Sequence, residues 1–168
     1  MSKLPKYVLI TPARNEAELI AGTIESVVAQ SVRPEKWVIV SDGSTDGTDD
    51  IVKRYMAEHP WIELVRTPER QERHFAGKVY AFNAGYERVK GTPYDVVASL
   101  DADITFDPDY FVFLLEKLVE DLDRRRAKVR MLIDDFRKST RAPFVNWGVK
   151  ETRAREVQLL NVMQPGEA

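Results

Sequence analysis

Four short apolar runs constrain this chain more than any other feature: Tyr7–Thr11 (YVLIT), Lys36–Ser41 (KWVIVS), Trp61–Thr67 (WIELVRT) and Asp95–Leu100 (DVVASL). Each is rich in β-branched or aromatic residues and short enough to be a strand covered on both faces. Helical spacing fills the intervals. Glu16–Ser31 repeats apolar residues at Ile20, Ile24, Val27 and Val28, Thr48–Glu58 at Ile51, Val52, Tyr55 and Met56, and Lys78–Val89 at Val79, Phe82, Tyr86 and Val89. A strand followed by a helix, four times in succession, predicts parallel pairing, because each parallel crossover needs a helix to cover the sheet. The predicted fold is α/β, a Rossmann-like, doubly wound, mostly parallel sheet.

Ligands of such sheets bind beyond the carboxyl ends of the strands. The segments there are TPARNEA, DGSTDGT, RTPERQERHFAGK and DADITFD, all rich in polar or charged residues. A site is therefore expected where these four loops meet.

At 168 residues, with 43% hydrophobic and 31% charged, the chain suffices for one domain with a real core. No run approaches the roughly 20 apolar residues that span a bilayer. The longest candidate, FVFLLEKLV from Phe111, is broken by Glu116 and Lys117. The opening MSKLPKYVLIT has too short an apolar run for a signal-peptide core. Without cysteine there is no disulfide framework and no thiolate metal site. A soluble, cytoplasmic protein is expected.

The net charge of -2 conceals a change near Asp121. Residues 121–168 carry 11 Lys and Arg against 7 Asp and Glu, leaving 14 against 20 in residues 1–120. After Pro108 a helix is predicted, with Phe111, Leu114, Leu115, Leu118 and Leu122 on one side; beyond it RRRAKVR, DDFRKSTR and KETRARE are dominated by charge, and no strand is predicted. Arg124, Arg125, Arg126, Lys128 and Arg130 read as the solvated end of that helix, so no nucleic-acid partner is expected.

Each loop motif has a structural and a functional reading. In DGSTDGT, Asp46 or Thr48 can cap the next helix; a calcium loop fails because Lys53 stands where the bidentate Glu belongs. In PARNEAE, Asn15 suits an N-cap with Glu18 at the third helical position, while Glu16 can accept from ribose hydroxyls. Arg66, Arg70, Arg73, His74 and Lys78 make either a solvated loop or a set of cations for a diphosphate. In DADITFD, Asp101 and Asp103 can hold a hard cation, or serve as nucleophile and acid in the Asp-x-Asp-x-Thr pattern of haloacid-dehalogenase-like phosphatases. A helix cap accounts for Asp107 before Pro108 but for neither of the other two. The βα units that precede the aspartates, and the short chain after them, argue against the phosphatase.

Taken in order, YVLITPARNEAELIAGTIESVVAQS, VIVSDGSTDGT, GKVYAFNAG and SLDADITFDPDYF resemble the family 2 glycosyltransferases, whose nucleotide-sugar-binding half has the GT-A fold. The resemblance covers Tyr7 to about Glu120. It implies a nucleotide-sugar-binding, GT-A-like domain at residues 1–120, with 121–168 a charged, Arg-rich tail. It implies that Asp42 accepts from the base and that Pro12, Ala13, Arg14 and Glu16 line base and ribose. Asp101 would stand near the ribose or metal, and Asp103 would be the principal ligand of a divalent cation, Mn²⁺ or Mg²⁺. Lys78 and Asn83 would shape the diphosphate side. The activity implied is metal-dependent, inverting transfer of a sugar from a nucleotide-diphosphate donor, with UDP the expected nucleotide, to a hydroxyl of a carbohydrate or lipid-linked acceptor.

That activity needs a general base, which the family carries after the aspartate pair, and no matching motif is found in residues 121–168. Asp134 and Asp135 are the candidates by position. The GT-A pattern is thus expected to be cut short after the Asp-x-Asp motif, through truncation, a shifted reading frame, or need of a partner chain. A catalytically inactive nucleotide-sugar-binding protein is the alternative, and peripheral association with a membrane stays open.

Overall fold

The computed structural model describes residues 4–68, 75–139 and 159–161, with side chains at 4–68 and 77–131. Its elements are β1 (Tyr7–Ala13), α1 (Ile20–Val28), β2 (Lys36–Asp42), α2 (Thr48–Glu58), β3 (Ile62–Thr67), α3 (Phe75–Val89), β4 (Val96–Ser99), α4 (Tyr110–Ser139) and β5 (Leu159–Asn161). They form one sheet in the order β3-β2-β1-β4-β5, with every neighbouring pair parallel. The chain winds outward from β1 to β3 and then returns to the other side of β1 as β4. The reversal between β1 and β4 is the switch point at which open α/β sheets bind ligands.

Alternation along the strands builds two cores. Val8, Ile10, Val38, Val40 and Val97 turn to one face, where they meet Ala81 and Val89 of α3. There α3 lies very close to the sheet: a Cβ on Gly85 would come 2.5 Å from Ile10 Cγ2 and 3.1 Å from Val40 Cγ2. Leu9, Trp37, Ile39, Ile62 and Ala98 turn to the other face, against Ile24 of α1, Val52 of α2, and Phe111 and Leu115 of α4. Tyr7 stacks on Phe111 at 4.8 Å, its hydroxyl donates to the Val32 carbonyl at 2.7 Å, and burial pushes its phenol well above the usual range. Trp37 satisfies its buried indole N–H on Thr11 Oγ1 at 2.9 Å.

Helix boundaries depart from the sequence reading where remote partners intervene. α1 opens at Ile20, because Glu16 folds into a turn whose carbonyl accepts from the amides of Leu19 and Ile20. α4 opens at Tyr110, and Asp107 enters through its carbonyl, which accepts from the Tyr110 amide and from Gln30 Nε2. Gln30 Oε1 in turn receives the amide of Phe111 at 3.0 Å. α4 continues unbroken through residue 121 to Ser139 and is exposed from Asp123 to Met131. β5, where no strand was predicted, pairs with β4 from Val97↔Leu159 to Ser99↔Asn161. Three residues cannot show a periodicity, so only the neighbouring strand reveals it. Among the described residues, no helix is long and apolar enough to cross a membrane.

Candidate functional site

A cavity of about 460 Å³ opens at the carboxyl edge of the sheet, across the switch point. The end of β1 contributes Pro12 and Ala13, and the loop after it Arg14 and Glu16. β2 ends on Asp42, α3 presents Gly77, Lys78 and Ala81, and the loop after β4 presents Asp101, Ala102 and Asp103. Of the residues singled out for the nucleotide sugar and metal, Asn83 alone is not in this wall. It is exposed on α3, five residues beyond Lys78 and so well around the helix from it.

Asp42 is the buried carboxylate of the cavity, only 6% exposed. The Thr67 hydroxyl donates to its Oδ1 at 2.8 Å, and an Arg14 guanidinium nitrogen lies 3.9 Å from its Oδ2. Gly77 lets the start of α3 approach this group, since a Cβ there would stand 3.2 Å from Oδ2.

Asp101 and Asp103 owe their direction to the residues between and beside them. The Leu100 amide still donates to the Ile10 carbonyl at 3.0 Å, as a continuation of the ladder. Ala102 and Ile104 then turn inward and are buried, with the Thr23 hydroxyl donating to the Ala102 carbonyl at 2.8 Å. Asp101 and Asp103 line the cavity on either side of Ala102, Asp103 exposed and Asp101 half-exposed. Lys78 Nζ donates to Asp101 Oδ1 at 2.6 Å, with both side chains well exposed to water. Two carboxylates on one rim suit a hard cation that brings phosphate oxygens and water for the rest of its shell. Among the described residues there is no cluster of three or more His, Cys, Asp or Glu that would make a self-sufficient metal cage.

The other predicted groups divide differently. Asp46 does bind the first turn of α2, its Oδ1 accepting from the Thr48 amide at 3.1 Å and hydroxyl at 2.6 Å. Desolvation opposes its ionisation, but these bonds and one from the Ala17 amide prevail and hold its carboxyl below the usual aspartate range. Asn15 does not cap α1; it takes a left-handed conformation with φ 57° and bonds to the loop after β2. Arg66 lies in β3 and is committed to the start of α2, where it pairs with the Asp49 carboxylate and donates to the Ser44 carbonyl at 2.9 Å. Arg70, Arg73 and His74 lie outside the described residues, as do the side chains of Asp134 and Asp135, whose backbone belongs to α4.

Thr23, Thr67, Gly77 and Ala102 were not anticipated as parts of the site. Thr23 carried a signal, a hydroxyl at i+3 from Ile20 within an apolar stripe, which only a buried hydrogen bond reconciles with the core.

Residues 8–159 match the family model described as Glycosyl transferase family 2. The chain belongs to glycosyl transferase family 2. The match runs beyond Glu120, where the motif resemblance ends, and the phosphatase reading of Asp101 and Asp103 falls with it. TuaG of Bacillus subtilis, whose name assigns it to teichuronic acid biosynthesis, is 34% identical over 116 residues, covering 69% of this chain and 43% of TuaG. The poly-beta-1,6-N-acetyl-D-glucosamine synthase of Staphylococcus aureus is 31% identical over 107 residues, covering 64% of this chain and 24% of the synthase. This family 2 chain therefore spans less than half the length of those relatives. Among solved structures, the mannosyltransferase PcManGT of Pyrobaculum calidifontis, in complex with GDP-Man and Mn²⁺, superposes with a TM-score of 0.50 at 28% identity, over 64% of this chain and 30% of that one. S. aureus TarS in complex with UDP gives a TM-score of 0.56 at 21% identity, over 68% and 32% respectively, a likeness of fold.

Proposed function

We propose that this chain binds a uridine-diphosphate sugar together with a divalent cation and transfers the sugar, with inversion, to a hydroxyl of a carbohydrate or lipid-linked acceptor. The observation that carries the reading is the convergence of Asp42, Glu16, Lys78, Asp101 and Asp103 on one cavity at the switch point of a family 2 sheet. PcManGT, solved with GDP-Man and Mn²⁺, supports a nucleotide-sugar donor and a divalent cation.

The choice of uridine rests on Asp42. Its Oδ1 accepts from the Thr67 hydroxyl, and in this reading the carboxylate also takes the ring N–H of the base, which uracil presents as a single N3–H between two carbonyls. Guanine presents an N–H and an NH₂ side by side, which match both oxygens of a carboxylate. In this reading a uracil carbonyl accepts from Arg14, whose guanidinium lies 3.9 Å from Asp42, and ribose hydroxyls donate to Glu16 in the same wall.

Asp101 and Asp103 are the residues that would hold Mn²⁺ or Mg²⁺, which when bound supplies positive charge at the diphosphate as the bond to the anomeric carbon breaks. Lys78, 2.6 Å from Asp101, offers an ammonium to the same diphosphate. The acceptor hydroxyl must lose a proton to a base; Asp134 and Asp135 are the candidates by their place in the sequence, and they stand roughly 36 Å along α4 from its first residue.

A second reading is donor binding without transfer: among the described residues the carboxylates of the cavity wall are Glu16, Asp42, Asp101 and Asp103, and the proposal assigns all of them to the donor and its cation, leaving none there for the acceptor. Incubation with UDP-sugars, Mn²⁺ and a panel of carbohydrate and lipid-linked acceptors separates the two. Release of UDP that depends on acceptor supports transfer, and binding without UDP release supports the second reading.

A further inference from the structure

Three consecutive amides of the loop after β1 donate into the loop after β2 and the first residue of α2. The Asn15 amide reaches Ser44 Oγ at 3.1 Å, the Glu16 amide Thr48 Oγ1 at 2.9 Å, and the Ala17 amide Asp46 Oδ2 at 2.9 Å. A fourth bond returns from the Thr45 amide to Asn15 Oδ1 at 2.9 Å. Asn15 is the one non-glycine residue with positive φ among those described, at 57°, a conformation that asparagine tolerates better than most. The receiving loop is itself braced, because Thr48 Oγ1 donates to Asp46 Oδ1 and Arg66 holds the Ser44 carbonyl.

The arrangement has a consequence for the cavity. Arg14 and Glu16 flank Asn15 and both line the wall, whereas Asn15, Ser44, Asp46 and Thr48 are not part of it. Asp42 ends the strand from which the receiving loop departs. The bonds between the loops thus fix how far Arg14 and Glu16 stand from Asp42. A left-handed residue held by surrounding bonds is strain that the rest of the structure must over-determine, as occurs at functional sites.

We infer that Asn15 is a positioning residue: its left-handed backbone and its side-chain oxygen lock the loop after β1 onto the loop after β2, and thereby set the affinity for the nucleoside half of the donor without touching it. The inference rests on the nucleotide-sugar reading above. Its physical basis is preorganisation, since a loop already ordered costs less to bind with.

The test uses the full chain and titrates UDP, uridine, and pyrophosphate with Mn²⁺ into three variants. Asn15→Ala loses both the oxygen and the tolerance of positive φ, Asn15→Gly keeps the conformation but loses the oxygen, and Asn15→Asp keeps an acceptor. The Kd for UDP and for uridine is expected to rise about tenfold in Asn15→Ala, as for one or two lost hydrogen bonds. Asn15→Gly should lose less, Asn15→Asp should stay near the native value, and pyrophosphate with Mn²⁺ should be unaffected in all three. Lys36→Met, which breaks the 2.7 Å pair with Glu63 at the opposite edge of the sheet, controls for lost stability alone. Asn15→Gly carries the test should Asn15→Ala fail to fold. Native affinity for UDP in the Ala and Gly variants, or an equal loss in Lys36→Met at matched Tm, would overturn the positioning role while leaving the donor reading intact. A native chain that binds neither UDP nor uridine overturns both.

Discussion

Thr23 donates its hydroxyl to the carbonyl of Ala102 over 2.8 Å, in a buried contact that joins α1 to the loop after β4. This bond fixes the backbone at buried Ala102, and Asp101 and Asp103 on either side of it line the cavity. The Thr23 bond thus anchors the backbone between the two carboxylates. Thr23→Val leaves a buried carbonyl without its donor, a loss of about 1–3 kcal/mol in urea unfolding. It should also weaken UDP binding in the presence of Mn²⁺ more than binding of uridine. Thr23→Ser, which keeps the hydroxyl, should restore both.

Thr67 donates to Oδ1 of Asp42 at 2.8 Å, and if Asp42 receives the base as proposed, Thr67 shapes what it accepts. Thr67→Val removes that donor without adding bulk and should narrow the preference for UDP over GDP by roughly fivefold, the value of about one hydrogen bond. Titration of both nucleotides into the native and variant chains measures it. An unchanged ratio would show that Thr67 has no part in base selection.

Lys78 and Asp101 form an exposed ion pair, which in water contributes at most about 1 kcal/mol to stability. Lys78→Met is therefore expected to leave Tm nearly unchanged. It should weaken UDP binding about tenfold, through loss of a charge-assisted bond to phosphate, and leave uridine unaffected. Equal losses for UDP and uridine would place Lys78 elsewhere in the recognition.

Glu63, at the edge of the sheet remote from the cavity, is partly desolvated, which opposes its charge, yet bonds from Lys36 at 2.7 Å and Arg88 at 2.5 Å hold its carboxyl below the usual glutamate range. A folded pKa lower than the unfolded one means that the folded state binds fewer protons in that interval. The stabilisation is therefore fully present above the ordinary glutamate pKa, about 4.3, and is lost as pH falls through the depressed folded value. Glu63→Gln should melt lower than the native chain at pH 7, and the gap should close as the pH is lowered past this range. A gap independent of pH would contradict the ion triad.

The parts of this fold that were legible are those set by local pattern. YVLIT, KWVIVS and DVVASL read as strands because both their faces are covered, WIELVRT reads as one from its β-branched and aromatic run although it is a half-buried edge strand, and the loops beyond them read as a site because parallel sheets expose that edge. What could not be read depends on partners remote in sequence. Asn15 looks like a helix cap until Ser44 and Thr45, 29 and 30 residues on, claim it for a left-handed turn. Asp107 looks like another cap until Gln30, 77 residues earlier, takes its carbonyl and serves the first turn of α4 in its place. Leu159–Asn161 shows no strand signal of its own and is a strand only beside Val97–Ser99. Arg66 reads as a loop cation, yet its place in β3 directs it to Asp49 and Ser44.

The central claim is that the cavity takes a nucleotide diphosphate with a divalent cation held by Asp103. Thermal unfolding across a panel of nucleotide diphosphates and nucleotide sugars, with and without Mn²⁺, tests it directly. Ligand at 100 times its Kd stabilises by about 2.7 kcal/mol, which for a chain of this size raises Tm by roughly 5–10 °C. UDP or a UDP-sugar with Mn²⁺ is expected to give that rise, and Asp103→Ala to abolish the part that depends on Mn²⁺. No shift with any nucleotide diphosphate or nucleotide sugar, in the presence or absence of Mn²⁺, would contradict the account.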